Sequence, residues 1–518
     1  MKKILSVWLL LILAIALHSQ PVTSSQIDRI VEQAMNAFDV PGIAVAVVKD
    51  GRVIHSRGYG VRSVNTGQKV DENTLFAIAS NTKAFTAASL GILVDDGKLK
   101  WEDKVIDYIP ELRLYNSYVT EDFIIKDLLT HRSGMGLGAG DLMIWPGSPD
   151  FSKDDVIHNL RYLRQTSPFR TRYDYDNLLY IVAGEVVARV SGISWEEFVE
   201  SRIMEPLGMT MTAASINRLK DRSNIIDAHV PVNGKLEVVP KHEGDLHNPV
   251  GGIMSSVADM SKWAIMQMND GKYGENLEKQ IFSEEVHAEM WTPQTIIAVR
   301  SKNVYNTHFA AYGLGWRLSD EKGYKVVGHT GSLQGIVTQV TLIPELKLGI
   351  IVFTNQQADA AFSAITNTIK DSYYGMTGTD WVNEYTNRVT ASQKNATAVT
   401  EEVLKNIEAR KKTNTVIPDL AAFTGTYSDV WFGDVTVSQK EGTLRFYAVK
   451  SPKLSGEMIF YKGNTFIVKW DDRTLDADAF AIFSLDREGK PSGMTMEAIS
   501  PLTDFSFDFQ DLDFHRKQ

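Results

Sequence analysis

The chain has 518 residues, 43% hydrophobic and 23% charged, with a net charge of −10 and no cysteine. That length calls for about two or three domains, and the acidic balance, with only the short run Arg410-Lys411-Lys412 against it, argues against an extended nucleic-acid surface. Without cysteine there are no disulfides and no lipidated N-terminal cysteine, so stability has to come from packed cores.

Lys2-Lys3 precede an apolar stretch from Ile4 to Leu17, a positive n-region followed by an h-region of signal-peptide length. The stretch is short of the roughly 20 residues that span a bilayer. Residues 1–19 therefore read as a signal peptide, and the protein as secreted or periplasmic with no membrane role beyond export. Ala14-Ile15-Ala16 fits the small-x-small cleavage rule, and a cut nearer Ser19-Gln20 suits the polar flank. The sequence leaves both open, as it does an uncleaved anchor.

Gln26 to Phe38 carries Ile27, Ile30, Val31 and Ala34 on one helical face. Ile43 to Val48 and Val53 to Tyr59 read as strands joined by the turn Lys49-Asp50-Gly51-Arg52. Phe76-Ala77-Ile78-Ala79 then leads into Ser80-Asn81-Thr82-Lys83, which opens a helix bearing Phe85, Ala88, Ile92 and Leu93 and stopping at Gly97. On a helix, a serine and a lysine three apart share a face, with Cβ atoms about 5–6 Å apart. The amine then reaches the hydroxyl and can activate it as a nucleophile. A serine at the helix start also meets unpaired backbone N–H groups that favour developing negative charge. A capping serine with an exposed lysine is the plainer alternative. A second S-x-x-K, Ser319-Asp320-Glu321-Lys322, has no apolar helix after it and reads as a solvated turn.

Residues 100–300 are rich in helix and loop, with helical periodicity at Tyr180 to Val190 and Met260 to Met268. Tyr175-Asp176-Asn177 sits in a polar turn before the first of these. Strands return with Lys325-Val326-Val327, which meets a Gly-bounded turn at His329-Thr330-Gly331. Ile336 to Ile343 and Leu348 to Phe353 follow as strands and Ala360 to Tyr374 as a closing helix. Residues 379–417 are polar, with a weakly amphipathic helix at Glu401 to Lys412, and read as a linker closed by Pro418. From 418 to 518 short strands alternate with Gly433, Gly442, Gly463 and Gly489, the pattern of a small barrel or sandwich. Trp431, Phe446 and Trp470 are expected in its core.

With Ser80/Lys83, Tyr175/Asn177 and His329-Thr330-Gly331 in this order, the chain resembles the serine β-lactamase and penicillin-binding-protein family. The likeness is to the branch holding class C β-lactamases, D-alanyl-D-alanine carboxypeptidases and D-aminopeptidases, and it runs over about residues 27–375. Val40-Pro41-Gly42, Leu128-Leu129-Thr130-His131-Arg132-Ser133-Gly134 and Gly251-Gly252-Ile253-Met254 agree with it. Phe423-Thr424-Gly425-Thr426-Tyr427 resembles the lipocalin-like domain fused behind such hydrolases. The resemblance implies an α+β fold: a three-layer αβα domain at 26–378 with an antiparallel sheet and an all-α lobe, then a β-barrel at 418–518.

It also implies acyl transfer through Ser80, with Lys83 taking the serine proton alone or with Tyr175. Tyr175 would relay a proton to the leaving group, Asn177 would orient Lys83, and the backbone N–H groups of Ser80 and Ser332 would form an oxyanion hole. His329 departs from the family lysine that recognises a substrate carboxylate, which weakens the case for an efficient β-lactamase; Thr330 and Gly331 complete that motif. The expected function is an exported serine hydrolase of peptide, amide or ester bonds, peptidase-like, on a small-molecule or peptide substrate. An esterase, a weak β-lactamase and a non-catalytic peptidoglycan- or ligand-binding protein are the alternatives. No cofactor and no metal are expected: His242 and His247, with Glu243 and Asp245 between them, have five-residue spacing and no ligand cluster elsewhere to complete a zinc site, and read as a polar loop near Gly251-Gly252. His131 and Arg132 read as loop-shaping.

Overall fold

The computed structural model describes residues 21–147, 149–300, 302–412 and 418–517; the segment read as a signal peptide lies outside them. Helix α1 (Ser24–Phe38) starts at a capping box in which Thr23 and Gln26 exchange side-chain and backbone hydrogen bonds, and it buries Ile27, Val31 and Ala34. That spacing is one apolar stripe of a 3.6-residue period. Strands β1 (Gly42–Lys49) and β2 (Arg52–Gly60) form the expected hairpin, turning through left-handed Asp50 and Gly51.

The other strands of the sheet come late in the chain: β3 (Thr295–Ile297), β4 (Ala310–Tyr312), β5 (Arg317–Glu321), β6 (Tyr324–Leu333), β7 (Ile336–Ile343) and β8 (Leu348–Thr354). The order β2-β1-β8-β7-β6-β5-β4-β3 is antiparallel throughout and joins the two ends of the domain. Alternation along β1 creates the layers. Ile43, Val45 and Val47 pack with α1 and with Ile365 and Ile369 of α5 (Asp359–Tyr373). Ala44 and Ala46 face the opposite layer, which holds α2 (Thr82–Asp95), α3 (Leu178–Ser191) and α4 (Val257–Gln267). Helix α2 is apolar all round and buried from Thr82 to Leu93, as a helix enclosed on every side must be.

Three local expectations change. The strand at Val327 does not stop at His329: β6 runs on to Leu333, stays paired with β7, and turns at Gly335. Gly331 is small because the strand passes close to the Ser80 turn, where an added Cβ would lie 2.4 Å from the Ile78 carbonyl oxygen. Ser319 and Glu321 belong to strand β5, and the turn comes later, at left-handed Lys322 and Gly323. The polar linker is mostly one 32-residue helix, α6 (Trp381–Lys412). No Gly or Pro interrupts it, and apolar contacts hold both ends, Trp381 with Tyr305 and Val403 and Ile407 with Ile467.

The C-terminal domain is a closed antiparallel barrel of eight strands, β9–β16 (Gly425–Asp429, Gly433–Lys440, Thr443–Ala448, Ser455–Lys462, Thr465–Trp470, Ala479–Leu485, Pro491–Ala498, Asp513–Arg516). Its interior is filled by rings such as Phe446, Phe466, Trp470 and Phe483, and Trp431 is buried as well. The barrel is keyed into the N-terminal domain: the Asp508 carboxylate accepts the Gly140 and Leu142 N–H groups at 2.7 and 3.1 Å, and Asn159 Nδ2 donates to the Trp431 carbonyl at 2.8 Å.

Candidate active site

The chain reaches Ser80 through a forced bend. Phe76–Ala77 is a short strand, Ala79 takes a left-handed conformation with φ 49°, and Ala79–Asn81 is one 3₁₀ turn feeding α2. A non-glycine residue held there stores backbone strain that the surrounding packing must sustain. Ser80 is left half-buried at the edge of a cleft of about 240 Å³ that also takes in Tyr175, Asn177, His329, Ser332 and Phe505.

Lys83 lies one turn along α2, fully buried. Its Nζ is 3.0 Å from Ser80 Oγ, 2.8 Å from Asn177 Oδ1 and 3.3 Å from the Val250 carbonyl. Two of these partners are carbonyl oxygens and can only accept. An amine that has lost one proton keeps both of those bonds and turns its lone pair on the serine hydroxyl. Burial lowers Lys83 to about 7, against the raising influence of Asp141 and Asp176.

Behind Lys83 runs a chain of hydrogen bonds. Asn177 Nδ2 donates to Asp141 Oδ2 at 2.7 Å, which fixes the amide with its oxygen toward the lysine, and Ser506 Oγ from the barrel donates to the same oxygen at 2.8 Å. Burial lifts Asp141 to about 8 despite those two donors. Asp176, tied to Ser133 Oγ at 2.9 Å, is lifted by burial to about 7. Proximity of acids and a lysine with displaced titration is the pattern of a functional centre.

Tyr175 is buried, with its ring centroid 4.9 Å from Lys83 Nζ. Burial holds its phenol far above the ordinary tyrosine value, so it is a protonated hydroxyl at neutral pH. His131 is loop-shaping as expected, and at close range to the site: its ring packs 4.2 Å from that of Tyr175 while Nδ1 accepts the Asp176 N–H at 3.1 Å. Arg132 binds Asp127 at 2.9 Å and is not among the residues that line the cleft.

Along β6, His329 and Gly331 point inward, while Thr330 and Ser332 are exposed to the cleft. His329 Nδ1 lies 2.6 Å from the Thr330 carbonyl and so carries the proton. Nε2 then accepts from the Tyr312 hydroxyl at 2.8 Å. Burial pushes this imidazole well below its ordinary value. It is therefore neutral, with both nitrogens engaged inside the protein, and does not replace the family's lysine as a cation. Arg317 on β5 does face the cleft, its guanidinium 5.4 Å from the Tyr173 ring centroid. Among the described residues it is the only lysine or arginine exposed on the cleft lining, Lys83 lying buried behind Ser80.

Sequence reading thus places Ser80, Lys83, Tyr175, Asn177, His329, Thr330 and Ser332 around one cleft, and the structure brings all of them together. It missed Asp141, Tyr312, Arg317, Phe505 and Ser506. His242 and His247 are near Gly251-Gly252 as expected, yet they are not a detached polar loop: their rings stack at 4.0 Å and form a wall of the cleft. Burial pushes His242 down to about 4 and His247 well below its ordinary value.

Comparison with known proteins agrees with this geometry. The family profile described as Beta-lactamase matches residues 27–374, and one described as a domain of unknown function (DUF3471) matches 409–516. Unguisins hydrolase ungD of Aspergillus violaceofuscus is 29% identical over 426 residues, covering 77% of this chain and 74% of its own. Protein flp of Staphylococcus aureus (strain NCTC 8325 / PS 47) is 26% identical over 340 residues, 65% of this chain and 64% of its own, so the match spans just under two thirds of that relative. The octameric penicillin-binding protein homologue from Pyrococcus abyssi shares the fold, with TM-score 0.61 at 21% identity over 95% of this chain and 99% of that one. By the profile that covers most of its length, this chain belongs to the beta-lactamase family.

Proposed function

We propose that the protein is an exported serine hydrolase that cleaves peptide, amide or ester bonds through an acyl-enzyme on Ser80, and that its preferred substrates are peptide-like. The observation that carries this reading is the buried Lys83 amine, 3.0 Å from Ser80 Oγ and lowered to about 7. In its neutral form it takes the serine proton as Oγ bonds to the substrate carbonyl carbon. The oxyanion receives the Ser80 and Ser332 N–H groups, each such donor typically worth about 10²–10³ in rate. The C–N or C–O bond then breaks as Tyr175, a protonated phenol, passes a proton to the leaving atom and is resupplied from Lys83. Water attacks the ester by the same path in reverse, and Ser80 is restored.

Arg317 supports the peptidase-like reading. With His329 neutral, a guanidinium at that end of the cleft is suited to a carboxylate on the leaving side, where bidentate pairing is strong. The relative named as an unguisins hydrolase is in keeping with a hydrolytic reading. Export is supported by Lys2-Lys3 and the apolar run to Leu17.

The test is a substrate panel of nitrocefin, short p-nitrophenyl esters, D-alanyl-D-alanine peptides and D-amino-acid amides, with mass spectrometry for an adduct. Turnover with an adduct on Ser80 is expected, with free-carboxylate peptides favoured over their amides. Arg317→Ala should raise KM for the carboxylate substrates by about 10- to 100-fold with kcat little changed. A folded protein that takes no label from any of them would instead be a binding protein.

A further inference from the structure

The cleft continues past Leu333. A second cavity of about 240 Å³ opens beside the first and shares with it Trp145, His242, His247, Gly251 and Leu333. Ile216, Ile225, Met254 and Ile336 make its floor apolar. Two lysines from different domains stand on its lining: Lys241, and Lys453 from the barrel loop between β11 and β12. Lys241 is already paired with Asp227. The Lys453 ammonium lies against Gly147, 2.7 Å from where a Cβ would stand, and makes no ion pair among the described residues. An apolar pocket with a few placed polar groups is the ordinary form of a small-ligand site.

Which end of a substrate this cavity would receive follows from the site. A carbonyl held between Ser80 and Ser332 sends its two substituents in opposite directions along β6. One direction passes Thr330 toward Arg317; the other passes Leu333 and Gln334 into the second cavity. Tyr175, the proton relay to the leaving group, has its ring 6.2 Å from His329, so the leaving group lies toward Arg317. The acyl part lies toward Leu333. There the stacked faces of His242 and His247 form a wall common to both cavities.

We propose that this second cavity is the acyl-side subsite, and that it takes a bulky apolar side chain followed by an anionic group that pairs with Lys453. The inference rests on the hydrolase reading above and narrows its substrate class: a peptide or amide whose acyl portion is apolar next to the scissile bond and acidic further out. The barrel then contributes to substrate choice directly, through Lys453.

Binding to the full-length Ser80→Ala protein tests the subsite with turnover removed. Calorimetry would compare racemic N-succinyl-phenylalaninamide, N-acetyl-phenylalaninamide and N-acetyl-alaninamide. The phenyl compounds should bind about 10- to 100-fold tighter than the alanine one, and the succinyl compound tightest. Lys453→Glu should lower affinity for the succinyl compound by about tenfold or more and leave N-acetyl-phenylalaninamide unchanged. Gly244→Phe, at a lining position of this cavity, should remove the phenyl preference while an unchanged melting temperature shows the fold intact. Equal binding of all three amides, or a series that Gly244→Phe leaves as it was, overturns the subsite. Hydrolysis of p-nitrophenyl acetate by the unmodified protein is followed separately. Turnover with no binding preference overturns the subsite alone, and preference with no turnover or Ser80 adduct overturns the hydrolase reading alone.

Discussion

The catalytic domain and the barrel bury polar groups in different ways. In the barrel, burial raises Asp429 as well, but among the described residues it faces no buried lysine and receives three backbone N–H groups, from Trp431, Phe432 and Asp513 at 2.8 to 2.9 Å, and rings fill the rest. Its polar burial is structural. In the cleft, Lys83, Asp141 and Asp176 are buried together with titrations drawn toward neutrality, and Asp141 Oδ1 has no hydrogen-bond partner among the described residues. An arrangement so costly to desolvate is understandable as machinery that moves a proton. The two regions meet where the barrel rim sends Ser506 to Asp141 and Phe505 to within 5.8 Å of the Tyr175 ring. The barrel thus acts on the site through its rim, while its interior keeps the rim in place.

The contrast would break most visibly at Lys83. Lys83→Ala should cut kcat/KM by about 10⁴-fold in steady-state assays, the upper range for a positioned base, whereas Trp431→Phe in the barrel should leave it within about threefold. Tyr175→Phe, which keeps the ring packed on His131 but removes the relay, should cost about 10²–10³-fold in kcat. Asp508→Ala leaves the Gly140 and Leu142 N–H groups without their acceptor. It should lower stability by about 1–3 kcal/mol per lost partner in a denaturant titration, with activity falling only as the rim loosens.

The smallest and sharpest effect is on pH. The base must be neutral, so kcat/KM should rise with pH through the Lys83 value of about 7 and then level. Asp141 raises Lys83, and Ser506 lowers Asp141. Ser506→Ala therefore makes Asp141 less charged, lets the lysine lose its proton more readily, and shifts that limb to lower pH by a few tenths of a unit. Asp141→Asn shifts it further in the same direction. A profile unmoved in both variants would reduce the barrel's link to Lys83 to packing.

How much of this was legible depended on range. Ser80 and Lys83 could be read because one helical turn links them, and Tyr175, Asn177 and His329 because their short motifs occur in the right order. Gly331 was legible as a glycine but misread as turn punctuation, since its reason is a close approach to Ile78, far away in sequence. Helix α6 connects the two domains, but helix is read only at Glu401 to Lys412 because the surface of the segment is polar. The signals for a longer helix were the lack of helix breakers and the widely spaced anchors Trp381, Val403 and Ile407. Asp141, Arg317, Phe505 and Ser506 carry no local pattern, because only the docking of one domain on another and the pairing of β5 with β6 bring them to the serine. The neutral state of His329 was equally hidden, since it follows from burial in the folded cleft wall, where Tyr312 on a different strand engages Nε2.

The most direct test of the account is the rate at which a fluorophosphonate acylates the full-length protein as a function of pH, with the modified residue mapped by mass spectrometry. One adduct is expected, on Ser80, formed at a rate that climbs through about pH 7 and falls by orders of magnitude in Lys83→Ala. An adduct on another residue, or a Ser80 rate indifferent to pH and to the loss of Lys83, would contradict it.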